Sequence, residues 1–169
     1  MPSARRTLAL AVIVVTVLAV SASADTAAGR RARAGGGVEL SAAKVSGLGL
    51  LLVRGTGHVL YVFQPLSTHV VCGRSCERVW PPLLAPARGR PRATGGARQV
   101  LIGTARDPVT GRRIVTYAGR PLHTYVLDTQ PHEAAGQNVM LDSGYWWVLT
   151  PAGRIVRTPV SHGGGYVGS

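Results

Sequence analysis

Beyond residue 46 the chain alternates short apolar blocks with clusters of turn-forming residues. Residues 48–54, Leu-Gly-Leu-Leu-Leu-Val-Arg, predict a buried strand. Gly55-Thr-Gly57 predicts a turn and His58 to Gln64 a second strand, so that the two make a hairpin. Val100 to Arg106 predicts a strand ending at the turn Asp107-Pro-Val-Thr-Gly111. Ile114 to Ala118 alternates apolar and polar positions up to Tyr117, Leu122 to Leu127 is the next strand, and a polar loop spans Asp128 to Asn138. Tyr145 to Leu149 and Ile155 to Thr158 flank Pro151-Ala-Gly153, a further hairpin signal. Short strands at this spacing, with no sustained helical period, predict an all-β, single compact domain of short antiparallel strands and hairpins.

One stretch breaks the rhythm: Cys72-Gly-Arg-Ser-Cys-Glu-Arg-Val-Trp-Pro-Pro-Leu-Leu84, which holds both cysteines and one of the three tryptophans. Ser75 is a candidate N-cap with Glu77 in the first turn. Pro81 restricts Trp80 and donates no backbone hydrogen bond. At most a short helical turn fits, near residues 75–80. On a regular helix, Cβ atoms four residues apart lie roughly 5–6 Å from one another, whereas a disulfide needs about 3.5–4.5 Å. A Cys72–Cys76 bridge therefore requires a turn over residues 72–75, which Gly73 permits. Closing so small a loop contributes on the order of 2 kcal/mol in the chain-entropy model. A structural disulfide is the first reading for an exported chain. The alternatives are a copper or zinc site built from His69, Cys72 and Cys76, and a redox-active dithiol, although neither the Cys-x-x-Cys nor the Cys-x-x-Cys-His spacing is present.

The start of the chain reads as an export signal. Arg5 and Arg6 precede an apolar run from Leu8 to Val20, and Ala22-Ser-Ala24 has the small-x-small cleavage form. The expected organisation is a signal peptide over 1–24 cleaved after Ala24, a flexible tether over 25–46, a folded domain over 47–158 and a disordered tail over 159–169. No cysteine follows the apolar run, so no lipid-anchor site is expected, and the predicted location is secreted or extracytoplasmic.

Charge changes this picture little. The net charge of +12 comes almost wholly from arginine, spread along the chain. Arg88, Arg90, Arg92 and Arg98 cluster in a Pro/Gly-rich loop over 85–98. The first reading is a solvated loop in an arginine-biased composition. The alternative is attraction to acidic envelope polymers or an anionic membrane surface. No nucleic-acid motif accompanies the charge, so no nucleic-acid partner is expected.

Two segments repeat each other. Leu60-Tyr-Val-Phe63 corresponds to Leu122-His-Thr-Tyr125, and each leads on to a tryptophan element, Trp80-Pro-Pro or Trp146-Trp147. This places one degenerate repeat at about 48–84 and another at about 100–155. Cys72-x-x-x-Cys76, Trp80-Pro-Pro-Leu83, Leu101-Ile-Gly-Thr104, Val115-Thr-Tyr-Ala-Gly-Arg-Pro-Leu122, Gly136-Gln137 and Trp147-Val-Leu-Thr-Pro-Ala-Gly153 complete an ordered set. In these residues the chain resembles the bacterial "secreted repeat of unknown function" proteins, also described as predicted lipoproteins with a Tyr-x-aromatic-x-x-Asp motif. The resemblance covers about residues 48–155. It implies an exported, two-copy protein with no settled biochemical activity. The motif is incomplete in both copies: Leu66 stands at the Asp position of the first, and His123 replaces the first Tyr of the second.

No nucleophile and base are linked by a motif, so no reaction is predicted and the chain reads as a non-enzymatic envelope or extracellular module without a cofactor. The alternative function is a metal-binding or redox-associated protein using His69, Cys72 and Cys76. Tyr61, Phe63, Tyr125, Asp128, Trp146 and Trp147 are the candidate binding residues, with core packing as the competing role of the aromatics. Adjacent Trp146 and Trp147 point to opposite faces of a strand, which makes one of them a candidate for an exposed or cleft-lining position. Asp128 is expected to accept backbone N–H bonds in the turn that follows it.

Overall fold

The computed structural model describes residues 37–158. The expected signal peptide, the first part of the expected tether and the expected tail lie outside the described residues. The protein is mostly β, as its pattern predicts. The strands are β1 (Glu39–Val45), β2 (Gly49–Arg54), β3 (Tyr61–Pro65), β4 (Arg92–Ala93), β5 (Ile102–Arg106), β6 (Arg113–Tyr117), β7 (Arg120–Pro121), β8 (Val139–Leu141) and β9 (Gly144–Val148). One helix, α1 (Arg74–Val79), and a single 3-10 turn (Gln99–Leu101) complete the described elements.

Three small sheets result, in the orders β2-β1-β4, β3-β9-β8 and β5-β6-β7. Backbone bonds knit them together: Leu52 N donates to Leu149 O at 2.8 Å, and Val115 N donates to Leu83 O at 2.8 Å. Because side chains alternate along a strand, the same strands feed two cores. Leu52, Leu60, Val62, Trp147 and Leu149 enter one, together with Leu40 and Tyr117. Leu51, Val53, Tyr61, Trp146 and Val148 enter the other, together with Cys76 and Trp80. Burial of Leu51, Leu52 and Val53 on both faces explains why that run carries no polar alternation, while Leu50 at its start is exposed.

Several expectations need correction. The tether was expected to reach residue 46, yet residues 39–45 form β1, because Leu40 and Val45 are buried and the Gly47 and Gly49 turn folds β1 back on β2. A strand of small residues there gave too weak an apolar signal. The expected hairpin of 48–54 with 58–64 is reduced to the single Val53–Val59 bridge, since β2 pairs with β1 and β3 with β9. Residues 122–127 form no named strand, only bridges at His123. The loop expected over 85–98 contains β4, which runs parallel to β1 through Glu39–Arg92 and Leu40–Ala93.

Helix α1 is capped by the backbone of Gly73, with no side-chain cap bond, so Ser75 is not its N-cap. It ends as Pro81 requires, with Trp80 N donating to Cys76 O at 2.8 Å. Cys72, just ahead of the helix, and Cys76 inside it form a disulfide with a Cα separation of 5.2 Å. Both sulfurs are bonded to each other, so neither is a free thiolate for a metal built on His69, Cys72 and Cys76, while a disulfide is equally the oxidised form that the dithiol reading calls for. His69 is exposed. Among the described residues no group of three or more His, Cys, Asp or Glu side chains is placed to hold a metal ion.

Arg88, Arg90, Arg92 and Arg98 are all exposed, whereas Trp80 is fully buried. Truncating Trp80 to Ala is expected to cost about 3–5 kcal/mol. Replacing Arg88 and Arg90 together by Ser is expected to cost less than about 0.5 kcal/mol per site. Urea titration of the two variants checks this, and similar losses in both would contradict the assignment of core and loop. Intact mass with and without reductant checks the disulfide, for which no alkylatable thiol is expected in the unreduced protein.

Candidate functional site

Of the aromatic residues singled out in the sequence, Tyr61, Phe63, Tyr125 and Trp146 converge on one column in the second core. Trp80 and Trp146 stack face to face, with ring centroids 4.1 Å apart and planes 5° from parallel. Tyr125 stacks on the outer face of Trp80 at 4.1 Å, and Phe63 lies on the outer side of Trp146 at 5.0 Å, more tilted. Two further rings meet the column edge-on: Tyr61 against Trp80 at 5.2 Å and His123 against Trp146 at 4.9 Å. Each such contact contributes about 0.5–1.5 kcal/mol beyond the area it buries. Gly136 is required here by close approach, since a Cβ on it would sit 2.4 Å from the Trp80 ring.

The column has a counterpart in the backbone. Tyr61 and His123 exchange hydrogen bonds with each other, N to O, at 2.9 Å in both directions. Around that point the pairings match one for one. Tyr61 lies opposite Val148 as His123 lies opposite Pro82, and Val53 pairs Val59 as Thr116 pairs Pro121. Leu60 N bonds Leu52 O as Leu122 N bonds Val115 O. Each of the segments 60–63 and 122–125 thus holds the same position toward its own tryptophan element.

In this arrangement the Tyr-x-aromatic-x-x-Asp pattern closes across the two segments. The Tyr61 hydroxyl of the first donates to Asp128 Oδ2 of the second at 2.5 Å, and both residues are buried. Asp128 Oδ1 accepts Ala135 N at 2.9 Å, which is the turn-capping role expected of it, and Gly136 N donates to the Tyr61 oxygen at 3.3 Å. His123 and Leu66 hold the places matched to Tyr61 and Asp128. The two departures from the motif therefore fall at the positions matched to that bonded pair. Leu66 is 64% exposed and makes no bond of this kind.

Trp146 and Trp147 do face opposite ways, but neither is exposed. Trp146 is fully buried in the column and Trp147 is 7% exposed in the other core, under the Arg157 guanidinium at 5.4 Å. The expectation of a cleft-lining tryptophan fails because β9 has a core on each side. Trp80, His123 and Gln137 are the important residues that were not among the binding candidates. Gln137 is fully buried; its Oε1 accepts Val148 N at 2.9 Å and its Nε2 donates to Val156 O at 2.8 Å and to Thr158 O at 2.9 Å. Its place in the Gly136-Gln137 pair was the available signal.

Burial raises the Asp128 carboxyl to about 6, against the opposing hydrogen bonds from Tyr61 and Ala135. Burial, and then the charge of Asp128, hold the Tyr61 phenol well above its ordinary range. Burial lowers His123 to about 4, opposed by a backbone hydrogen bond at Pro121 and by the charge of Asp107. Among the described residues the His123 Nδ1 atom is buried with no hydrogen-bond partner.

A cavity of about 170 Å³ adjoins that imidazole. Phe63, Ile114 and Pro121 supply apolar wall, the disulfide segment supplies Val70, Val71 and Cys72, and Glu77 and Asp107 supply the acids. Asp107 Oδ1 accepts Val109 N at 3.0 Å, while Oδ2 accepts Thr110 N at 3.1 Å and the Thr110 hydroxyl. Burial pulls the Asp107 carboxyl up, and hydrogen bonds from Thr110, Val109 and Glu77 more than reverse it. Glu77 is raised by burial and by its hydrogen bond to Asp107.

With the geometry in view, residues 104–150 match the sequence model of a family described as a secreted repeat of unknown function. The matched segment runs from β5 to the end of β9 and contains His123, Tyr125, Asp128, Trp146 and Trp147. It bears out the resemblance read from the sequence. No curated protein and no solved structure matches the chain.

Asp128 and His123 oppose each other in their effect on stability. The folded Asp128 holds a proton that the unfolded chain releases above its ordinary value of 3.8, so its contribution is lost as pH rises from about 4 to about 6. The folded His123 excludes a proton that the unfolded chain takes up below 6.5, so its contribution is lost as pH falls from 6.5 to about 4. Each effect spans about 3 kcal/mol, and between pH 4 and 6 they nearly cancel. Relative to the parent, Asp128→Asn is expected to gain stability with rising pH across that window, and His123→Phe to lose it. Urea midpoints at a series of pH values check the two slopes, and parallel profiles for all three proteins would refute the pairing.

Proposed function

We propose that the chain is an exported, non-enzymatic module of the cell envelope or extracellular space, built from two degenerate repeats. In this reading the Tyr-x-aromatic-x-x-Asp motif is a latch between the repeats and not a reactive site. The observation that carries it is the buried 2.5 Å bond from Tyr61 to Asp128, which commits the polar groups of the motif to joining the segments 60–63 and 122–125. The matched pairings around Tyr61 and His123 support the repeats at about 48–84 and 100–155, with β1 extending the first copy upstream to match β5. The description of the matching family as secreted supports the location, and the Ala22-Ser-Ala24 sequence supports cleavage that leaves Asp25 as the first residue.

The latch is tested by a double-mutant cycle. A hydrogen bond to a charged group contributes about 1.5–3 kcal/mol, so Tyr61→Phe should destabilise the protein at pH 7, and Asp128→Asn should do so below about pH 4, where the substitution no longer relieves a buried carboxylate charge. The pair should be less costly than the sum, by a coupling of about 0.5–3 kcal/mol. Unchanged melting temperatures in both single variants would overturn the latch. The N-terminal residue of protein recovered from culture fluid tests export, and a membrane-retained chain that keeps residues 1–24 would count against it.

A further inference from the structure

Helix α1 and the turn that ends β5 bring a second group of arginines together, distinct from the cluster in the 85–98 loop. Arg74 and Arg78 stand four apart on α1, so they are neighbours on one helix face, and they line a groove of about 320 Å³ with Thr110 of the turn. Across the same turn Arg106 and Arg113 lie directly opposite each other in the β5–β6 pairing. Arg112 follows the turn, and all five arginines are exposed. Like charges repel and cost stability both as helix neighbours four apart and as direct cross-strand partners. The fold keeps one pair of each kind around a single turn.

The nearby acids do not neutralise them. Glu77 is the one acid that lines the groove, and it is hydrogen-bonded to Asp107. Asp107 is buried and accepts the backbone N–H groups of Val109 and Thr110. Among the described residues the side chains of Arg74, Arg78 and Arg112 make no hydrogen bond, and none of the five arginines forms an ion pair. Arg106 Nη1 donates to Gly111 O and Arg113 Nη2 to Thr104 Oγ1, each at 3.1 Å. These bonds hold both guanidinia at the hairpin and leave most of their N–H donors free. Geometry then selects the partner. The Cβ atoms within each pair are about 5 Å apart, so anionic groups must follow one another closely to meet both pairs. A planar carboxylate aligns with one guanidinium fork, whereas a tetrahedral phosphate presents charged oxygens that two neighbouring forks can share.

We propose that the groove beside α1 and the tip of the β5–β6 hairpin form one binding surface for a linear polyanion with closely spaced phosphate groups, Arg74 and Arg78 holding one part of it and Arg106 and Arg113 the next. The surface is distinct from the Tyr61–Asp128 bond, and either can fail without the other. It can be tested on the folded, disulfide-intact protein near pH 7 with end-labelled inorganic polyphosphate, by fluorescence anisotropy over a series of salt concentrations. Saturable binding is expected, with a log–log salt slope of about 0.7 for each phosphate contact. Replacing Arg74 and Arg78 together by Ser, or Arg106 and Arg113 together, should lower that slope by roughly 1–2, the scale of two lost contacts. Each double change should also weaken binding roughly fivefold, the scale of exposed ion pairs. Replacing Arg88 and Arg90 by Ser should change both quantities by less than half as much. Near-ultraviolet circular dichroism checks that every variant is folded. Polyglutamate and phosphatidylglycerol vesicles, at equal total charge, are expected to bind more weakly than polyphosphate. Absence of saturable binding, an undiminished slope in either surface variant, an equal loss in the loop variant, or polyglutamate or vesicles binding as tightly as polyphosphate would overturn the proposal.

Discussion

The stacked pair of Trp80 and Trp146 is the contact on which the rest of this protein depends. Each indole arrives from a different third of the chain, one at the end of a single helical turn and one in the middle of a strand. Neither has another large flat partner on its inner face. Around them Tyr125, Phe63, Tyr61 and His123 complete a block of six rings in which the loss of one ring exposes the faces of its neighbours. The indole N–H groups of Trp80 and Trp146 are buried without hydrogen-bond partners among the described residues. Ring stacking and burial must outweigh that desolvation.

Much of this fold was legible in residue patterns, and the failures share a cause. Strands that put large aliphatic or aromatic groups into a core, such as β2, β3, β6 and β9, announced themselves. Strand β1 did not, because its burial rests on Leu40 and Val45 with alanines between them. Strand β8 (Val139–Leu141), just beyond the polar loop, carried no strand signal because only its pairing with β9 makes it a strand. The aromatic and acidic residues of the column were legible as a set, while their partners were not. Nothing in a linear motif says that Tyr61 will bond an aspartate 67 positions away, when each copy was read as its own unit. Trp147 was misjudged for the converse reason, since alternation along β9 reveals that two adjacent tryptophans part, but not that a core awaits on both sides.

The pairing across segments also changes what the sequence departures mean. Read copy by copy, Leu66 and His123 are two unrelated losses. Read across the two segments they occupy the places matched to Tyr61 and Asp128, Leu66 exposed and His123 buried. One side of the molecule has kept a polar bond in a dry setting. The other has given it up for an exposed leucine, a neutral imidazole and a space bordered by the disulfide segment. Sequence comparison alone would score both copies as degraded, whereas one joint is intact.

The pairing of β3 with β9 has a consequence for how the chain acquires its structure. Tyr61 meets Val148 and Pro65 meets Gly144, so a strand near the start waits for one near the end of the described residues. Contacts separated so widely along the sequence form slowly and leave early strands with open edges in the meantime. The first half holds Trp80 without Trp146, and the second holds Asp128 without Tyr61. Neither half can finish its own interior. A chain made from its N-terminus therefore keeps this core open until its last strand is available.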